Sequence, residues 1–218
     1  MVSEYYRNPR PDMLRFVPAR RRLVLEIGCG TAGFISCLTG CEEKWGIEPT
    51  TAGLIAKQEL THLLSGSFDA VKAQLPKNYF DLVICNDVIE HMVDHRAFLT
   101  EIREYIAPDG VLIGSIPNVR FYDNLFRMLF EKDWRYVDAG ILDRTHLAFF
   151  TEKSLRQTLE ETGYRVLRLS GINWNHLVDK TPKSYRYLRL AQLISKLSLG
   201  YFSDIRCVQF GFQAQPIR

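Results

Sequence analysis

Short apolar runs alternate with mixed segments along the chain, and the period of each predicts an element. Leu23-Val24-Leu25-Glu26-Ile27 follows three arginines and closes on glycine, as a buried parallel strand entering a turn does. A helix is predicted over residues 31–38, stopping at Gly40. Lys44-Trp45-Gly46-Ile47-Glu48 reads as a second strand ending in an acid, followed by Pro49 and a helix over residues 52–60. The β-α-β alternation is therefore set early in the chain. A third strand is predicted at 61–64, and Phe80-Asp81-Leu82-Val83-Ile84-Cys85 is the clearest strand of all, with residues 86–92 as the loop at its carboxyl end. An amphipathic helix follows at 95–106, stopped by Pro108-Asp109-Gly110, whose turn chemistry leads into a strand at 111–116. A helix at 151–162, beginning Thr151-Glu152-Lys153-Ser154 and ending at Gly163, precedes strands at 165–169 and 206–212.

Three stretches fall outside this alternation. Residues 1–21 form an N-terminal arm. Residues 118–150 are rich in aromatics and arginine without a clean period and read as an insertion over the strand ends. Residues 171–204 read as a second insertion, with a helix at 184–197 that places Leu188, Ala191, Ile194 and Leu197 on one basic-edged face. Such a stripe packs on the domain or lies on a membrane surface, and the sequence leaves both open.

The chain has 218 residues, which suits one α/β domain with insertions and leaves no room for a second catalytic domain. With 46% apolar and 24% charged residues it is expected to bury a substantial core. A net charge of +3, clustered only at Arg20-Arg21-Arg22 and across residues 180–189, argues against a nucleic-acid partner. The five cysteines (Cys29, Cys37, Cys41, Cys85 and Cys207) are odd in number and scattered, as reduced thiols of a cytoplasmic protein are. Cys37 and Cys41 lack a second pair to complete a tetrahedral site, so no metal is expected. The first twenty residues lack an apolar core for a signal peptide, and no apolar run approaches the roughly 20 residues that span a bilayer.

Gly28, Gly30 and Gly33 complete a G-x-G-x-x-G turn after the first strand. Alone, this pattern fits a dinucleotide equally well, or an ordinary strand-to-helix turn. Glu26 discriminates, because a carboxylate two positions before the turn repels a pyrophosphate but accepts hydrogen bonds from a cationic amino-acid moiety. Glu48 offers two acceptor oxygens in one plane to a pair of ribose hydroxyls, which NAD also carries.

Taken with Phe80-Asp81-Leu82-Val83 and Glu90-His91, these residues resemble the class I S-adenosylmethionine-dependent methyltransferases. The resemblance is to the subgroup similar to ubiquinone-biosynthesis O-methyltransferases and the small methyltransferases of polysaccharide and natural-product pathways, and it covers about residues 22–169. It implies an α/β, doubly wound, Rossmann-like sheet of seven mostly parallel strands in the order 3-2-1-4-5-7-6, the last antiparallel, with lid insertions. It also implies S-adenosylmethionine as cofactor and S-adenosylhomocysteine as product. Glu26, Gly28, Cys29 and Gly30 would line the methionine end and Glu48 the ribose, Ser67 and Phe68 would flank the adenine, and Asn86, Asp87 and Val88 would floor the site near the sulfonium. Thr31, Gly33, Phe34, Pro49 and His91 are counted with this site, and Tyr6, beside Tyr5, with a closing arm. Where the family commonly has an acid after the third strand, Ser67 stands here, with Asp69 two residues on. Glu90 reads equally as a helix-terminal charge, and His91 as a packed loop histidine.

Methyl transfer from a sulfonium needs chiefly alignment of the acceptor and exclusion of water, and a hydroxyl acceptor also needs its proton removed. Asp143-Arg144-Thr145-His146 lies between the aromatic insertion and a helix, a stretch that resembles one common in the subgroup. His146 is the candidate base, with Arg144 or Asp143 orienting it or the acceptor. A helix cap or a packing role for His146 is the rival reading. Phe121, Tyr122, Phe126, Trp134 and Tyr136 offer an aromatic wall to a small-molecule acceptor, such as a sugar or a phenol, or a lid packed on the sheet. His62, His95 and His176 read as surface or structural residues. The competing functions are an NAD-dependent oxidoreductase or epimerase, for which no Tyr-x-x-x-Lys pair is present, and a non-catalytic cofactor-binding scaffold.

Overall fold

Seven strands form a single sheet in the order β3-β2-β1-β4-β5-β7-β6 in the computed structural model, which describes residues 10–177 and 181–218. The arm tyrosines Tyr5 and Tyr6, and Lys180 of the basic cluster, lie outside the described residues. The strands are β1 (Leu23–Ile27), β2 (Glu43–Glu48), β3 (His62–Ser65), β4 (Phe80–Asn86), β5 (Ile106–Pro117), β6 (Tyr164–Trp174) and β7 (Cys207–Pro216). β1 to β5 pair in parallel, while β7 runs antiparallel to both β5 and β6. The expected topology is the observed one.

The central strands are buried on both faces, and their side chains divide between two cores with the period of two that a pleat imposes. Leu25 and Ile27 of β1, with Val83 and Cys85 of β4, join one cluster. Helices α2 (Phe68–Val71), α3 (His95–Ile102) and α5 (Glu152–Glu161) cover that face through Phe68, Phe98, Leu99, Leu155 and Leu159. Val24, Leu82 and Ile84 point the other way, against Met13 and Phe16 of a 3-10 segment and Ala56 of the short helix α1 (Gly53–Ala56). A third cluster joins α4 (Tyr122–Phe126) to α6 (Pro182–Leu197), so the two insertions pack on each other.

Several boundaries differ from the sequence reading. The helix expected at 31–38 is a run of turns with a 3-10 segment at Ile35–Cys37, because Ala32 takes a left-handed φ of 63° and the Ile35 amide bonds to Glu26 instead of a helical carbonyl. The helix expected at 52–60 shortens to α1, leaving Leu54 and Ile55 exposed. α3 is capped by Asp94, which accepts from Arg96 N at 3.1 Å and Ala97 N at 2.9 Å, and it ends at Ile102 because Ile106 already pairs with Phe80 in the sheet. α5 starts as read, with Thr151 and Ser154 bonding reciprocally as a capping box. β6 continues to Trp174, opposite Cys207, so residues 171–174 belong to the sheet.

β6 is parallel in sense to β5, so its carboxyl end, the start of β7 and both insertions meet at the edge where β1, β2 and β4 also end. That edge is where a doubly wound sheet binds ligands.

Candidate active site

The turn after β1 needs its first two glycines. Gly28 and Gly30 have φ of 71° and 55°, and a Cβ on Gly28 would stand 2.8 Å from Val88 Cγ2. The third left-handed position falls on Ala32, one residue before Gly33.

The amide donors of this turn face protein acceptors. Gly28 N and Cys29 N donate to the Ile47 carbonyl at 2.8 and 3.1 Å, which ties the turn to the end of β2. Gly30 N donates to Glu48 Oε2 at 2.8 Å, and Ile35 N to Glu26 Oε2 at 3.2 Å. Thr50 donates to Glu48 Oε1 through its N–H at 2.9 Å and its hydroxyl at 2.6 Å. Two buried carboxylates thus occupy the place where a phosphate-binding turn presents free N–H groups. The electrostatics favour a cationic ligand and oppose a pyrophosphate. Burial pushes the Glu26 carboxyl up to about 8, against the opposing pull of the Ile35 N–H and the Arg10 guanidinium.

At the end of β4, Asn86 lies close enough to Glu26 to favour its ionised form. Both polar atoms of the Asn86 amide are nevertheless buried without a well-formed hydrogen bond, an exception to the rule that buried polar groups are paired. Asp87, at a left-handed φ of 54°, collects three partners from distant parts of the chain. Arg10 Nη1 reaches its Oδ2 at 2.5 Å, while Ser115 Oγ at 2.9 Å and Gln209 Nε2 at 2.7 Å donate to its Oδ1.

A second cluster stands beside the first. The carbonyl of Glu90 accepts the N–H groups of Leu147 and Ala148 at 2.8 and 3.1 Å, and this backbone pairing draws the aromatic insertion onto the β4 loop. The His91 and His146 rings then meet edge to face, with centroids 4.7 Å apart. His146 Nδ1 lies 2.9 Å from the Ile141 carbonyl, an acceptor only, so Nδ1 is the donor there and Nε2 is the acceptor nitrogen of the neutral ring. His91 Nδ1 faces the Thr145 carbonyl at 3.2 Å. Burial, and then the neighbouring His146, hold the His91 imidazole below its ordinary pKa. The Glu90 carboxyl is buried with no partner on either oxygen, and that burial raises its pKa well above the usual carboxylate range. Donor atoms of Glu90, His91 and His146 lie within 4.8 Å of one another, the one such convergence among the described residues. Two imidazoles and a carboxylate form a donor set that a divalent transition metal accepts.

Other candidates are placed differently. Arg144 pairs with Asp138 at 2.6 Å, and Asp143 accepts from the Thr145 N–H and hydroxyl at 2.8 and 2.6 Å. The Asp143 carbonyl accepts the His146 N–H at 3.0 Å, but neither side chain is bonded to the His146 ring. Phe68 turns into the core against Phe98 and Tyr105, at ring distances of 5.1 and 5.9 Å, while Ser67 is exposed beside it. Phe34 and Cys29 are buried in the core behind the turn, Thr31 is buried with them, and Pro49 is exposed after Glu48. In the aromatic insertion Phe149 gathers Trp134, Tyr136 and His146 at ring distances of 5.3, 6.4 and 6.3 Å.

A family model described as a methyltransferase domain matches residues 1–169. The chain belongs to the methyltransferase domain family. That family's cofactor is S-adenosylmethionine, whose cation suits the two carboxylates of the turn. Curated relatives include the ubiquinone biosynthesis O-methyltransferases of Rhodopseudomonas palustris strain HaA2, 27% identical over 164 residues, and of Vibrio atlanticus, 28% identical over 168. These alignments take in 72% of this chain and 64% and 68% of the relatives, so the chain matches only about two thirds of their length. Among solved structures, an S-adenosylmethionine-dependent methyltransferase from Archaeoglobus fulgidus superposes with a TM-score of 0.63 at 17% identity, covering 88% of this chain and 85% of that one. Another from Aquifex aeolicus gives 0.59 at 16% identity, with 99% and 93% covered. These likenesses show the fold.

Three partners of Asp87 in this candidate site have no place in the sequence reading. Ser115 and Gln209 are polar side chains within apolar strands, a signal that was present at 111–116 and 206–212. Arg10, between two prolines in the arm, carried no such mark.

Proposed function

We propose that this methyltransferase transfers the methyl group of S-adenosylmethionine to a hydroxyl of a small-molecule acceptor, with His146 as the base. The observation that carries the reading is the His146 ring, buried at the strand-end edge and fixed by the Ile141 carbonyl in the tautomer that leaves a proton-accepting nitrogen. Glu26 and Glu48, with the Asn86 amide, would hold the amino-acid and ribose parts of the cofactor, and Gly28 and Gly30 allow its close approach. Bound S-adenosylmethionine supplies a methyl carbon activated by the adjacent sulfonium. The chain's own task is then to align the acceptor oxygen and take its proton. His146 accepts that proton, His91 stays neutral beside it, and Asp143 acts one step removed by fixing Thr145 against His91. Phe149 borders His146 and packs in turn on Trp134 and Tyr136, an aromatic cluster that favours a planar or apolar acceptor.

The curated relatives are named as O-methyltransferases, which supports oxygen over nitrogen as the methylated atom. Among the described residues no helix is long and apolar enough to cross a membrane, and we place the protein in the cytoplasm on its unpaired cysteines. Release of S-adenosylhomocysteine with a panel of phenols, catechols and sugar nucleotides tests the reading. His146→Ala is expected to lower kcat by about 10²–10⁴ with cofactor affinity retained. Turnover near that of the parent protein removes the base assignment, and cofactor binding without turnover on any acceptor returns the scaffold reading.

The unpartnered Glu90 carboxyl favours a second reading, in which Glu90, His91 and His146 hold a divalent cation that polarises the acceptor hydroxyl. Chelation separates the two. Turnover that survives exhaustive chelation supports the free base, whereas turnover lost on chelation and restored by a divalent metal supports the cation.

A further inference from the structure

Helix α6 contains Lys183, Arg186, Arg189 and Lys196 and no acidic residue. Its inner face packs through Leu188, Ala191 and Ile194 against Phe121, Tyr122, Phe126 and Ile205, which accounts for most of the apolar stripe read from the sequence. Leu197, read as part of that stripe, points outward and is 74% exposed.

The outer face is a second stripe. Arg186, Arg189, Leu193, Lys196 and Leu197 recur at helical spacing and are all exposed. Beyond the helix, Leu199 is 97% and Tyr201 81% exposed. Lys183 is engaged by Glu131, whereas Arg186, Arg189 and Lys196 form no ion pair with a described residue. The end of the helix therefore presents four large exposed apolar side chains, Leu193, Leu197, Leu199 and Tyr201, beside a stripe that carries cations and, among the described residues, no ion-paired acid.

We propose that this end of α6 docks the methyltransferase on an anionic lipid bilayer. Leucine and tyrosine enter the headgroup boundary while arginine and lysine meet lipid phosphates and acidic headgroups, the combination by which interfacial helices bind. Charge selects this occupant. The exposed stripe has cations and no anions, and its apolar side chains project singly from a helix end instead of lining a groove that would receive a peptide. α6 connects β6 to β7 at the ligand edge of the sheet and packs on α4, so a bilayer held there lies on the side of the molecule that carries both insertions. This inference does not depend on the nature of the methyl acceptor.

The test is sedimentation with phosphatidylcholine vesicles, with and without phosphatidylglycerol, at low and high salt. The full chain is expected to pellet with anionic vesicles only, and less at high salt. Arg189→Gln and Lys196→Gln are each expected to weaken binding about fivefold. The double variant Leu197→Asp/Leu199→Asp is expected to abolish it, with calorimetric binding of S-adenosylmethionine unchanged. Aspartate tolerates the left-handed φ of 51° at Leu199, so the variant keeps its backbone. Absence of pelleting with anionic vesicles, or pelleting unchanged in the double variant, overturns the proposal. So does a dimer, detected by light scattering, that the double variant dissolves, since the face would then bind a second copy of this chain.

Discussion

The Arg10 guanidinium closes on the Asp87 carboxylate at 2.5 Å, joining the N-terminal arm to the carboxyl end of β4. Both side chains are largely buried, at 11% and 12% exposure, so removing one strands the other in a poorly solvated place. Arg10→Ala is expected to destabilise the protein by about 3 kcal/mol, read from the urea midpoint. In a double-mutant cycle, Asp87→Asn added to Arg10→Ala is expected to cost much less than the sum of the two. Additive losses would show that the pair contributes nothing as a pair.

Glu26 gives the protein a pH dependence of definite sign. Its carboxyl is held at about 8, above an ordinary value of 4.5, because it is buried. The unfolded chain ionises first, so this group's contribution to stability is intact below pH 4.5 and is lost as pH rises towards about 8. Unfolding free energies of the parent protein are expected to fall across that window relative to Glu26→Gln. A cationic amino group from the cofactor favours the ionised carboxylate, so binding near pH 7 is expected to release a proton that Glu26→Gln does not release. Calorimetry in buffers of different ionisation enthalpy measures this, and an unchanged heat across buffers would show that Glu26 does not meet the cation.

The parts of this site that sequence reveals are those carried by contiguous runs. The apolar segments of β1 and β4 and the acids Glu26 and Glu48 could be placed because each stands at the end of a buried strand. Asp87 could be placed, but its partners could not. Gln209 comes to it only because β7 returns antiparallel to β5, and Arg10 only because the arm crosses the sheet edge. The meeting of His91 with His146 rests on backbone bonds from Leu147 and Ala148 to Glu90, which have no signature in side-chain pattern. The short helix after the glycine turn was overestimated for a related reason. Its propensity is ordinary, but the Glu26 carboxylate captures the Ile35 amide.

Gly28 separates two costs that usually come together. Alanine there meets a left-handed φ of 71° and a Cβ contact of 2.8 Å with Val88 Cγ2. Gly28→Ala is expected to weaken S-adenosylmethionine binding about tenfold, since the backbone strain alone is about 1–2 kcal/mol and the loop must shift as well. Adding Val88→Ala removes the contact but leaves the φ, so recovery is expected to be partial. Full recovery by isothermal titration would mean that the contact alone governs the turn.

His146, Arg144 and Asp143 are neighbours in sequence and differ in what they touch, so their variants should divide. The Arg144 guanidinium is exposed and pairs with a still more exposed Asp138, an arrangement worth little in water. Arg144→Ala is expected to change stability by about 0.5 kcal/mol or less and to leave kcat intact, with any effect confined to the KM of the acceptor. Asp143→Ala removes two hydrogen bonds to Thr145, the residue against which His91 is set, and is expected to cost about 1–2 kcal/mol with a moderate fall in kcat. His146→Ala is expected to give the largest loss in kcat of the three. If Arg144→Ala instead lowers kcat as far as His146→Ala, the guanidinium must leave Asp138 during turnover and act at the acceptor, and His146 would lose its claim to be the group that governs proton removal.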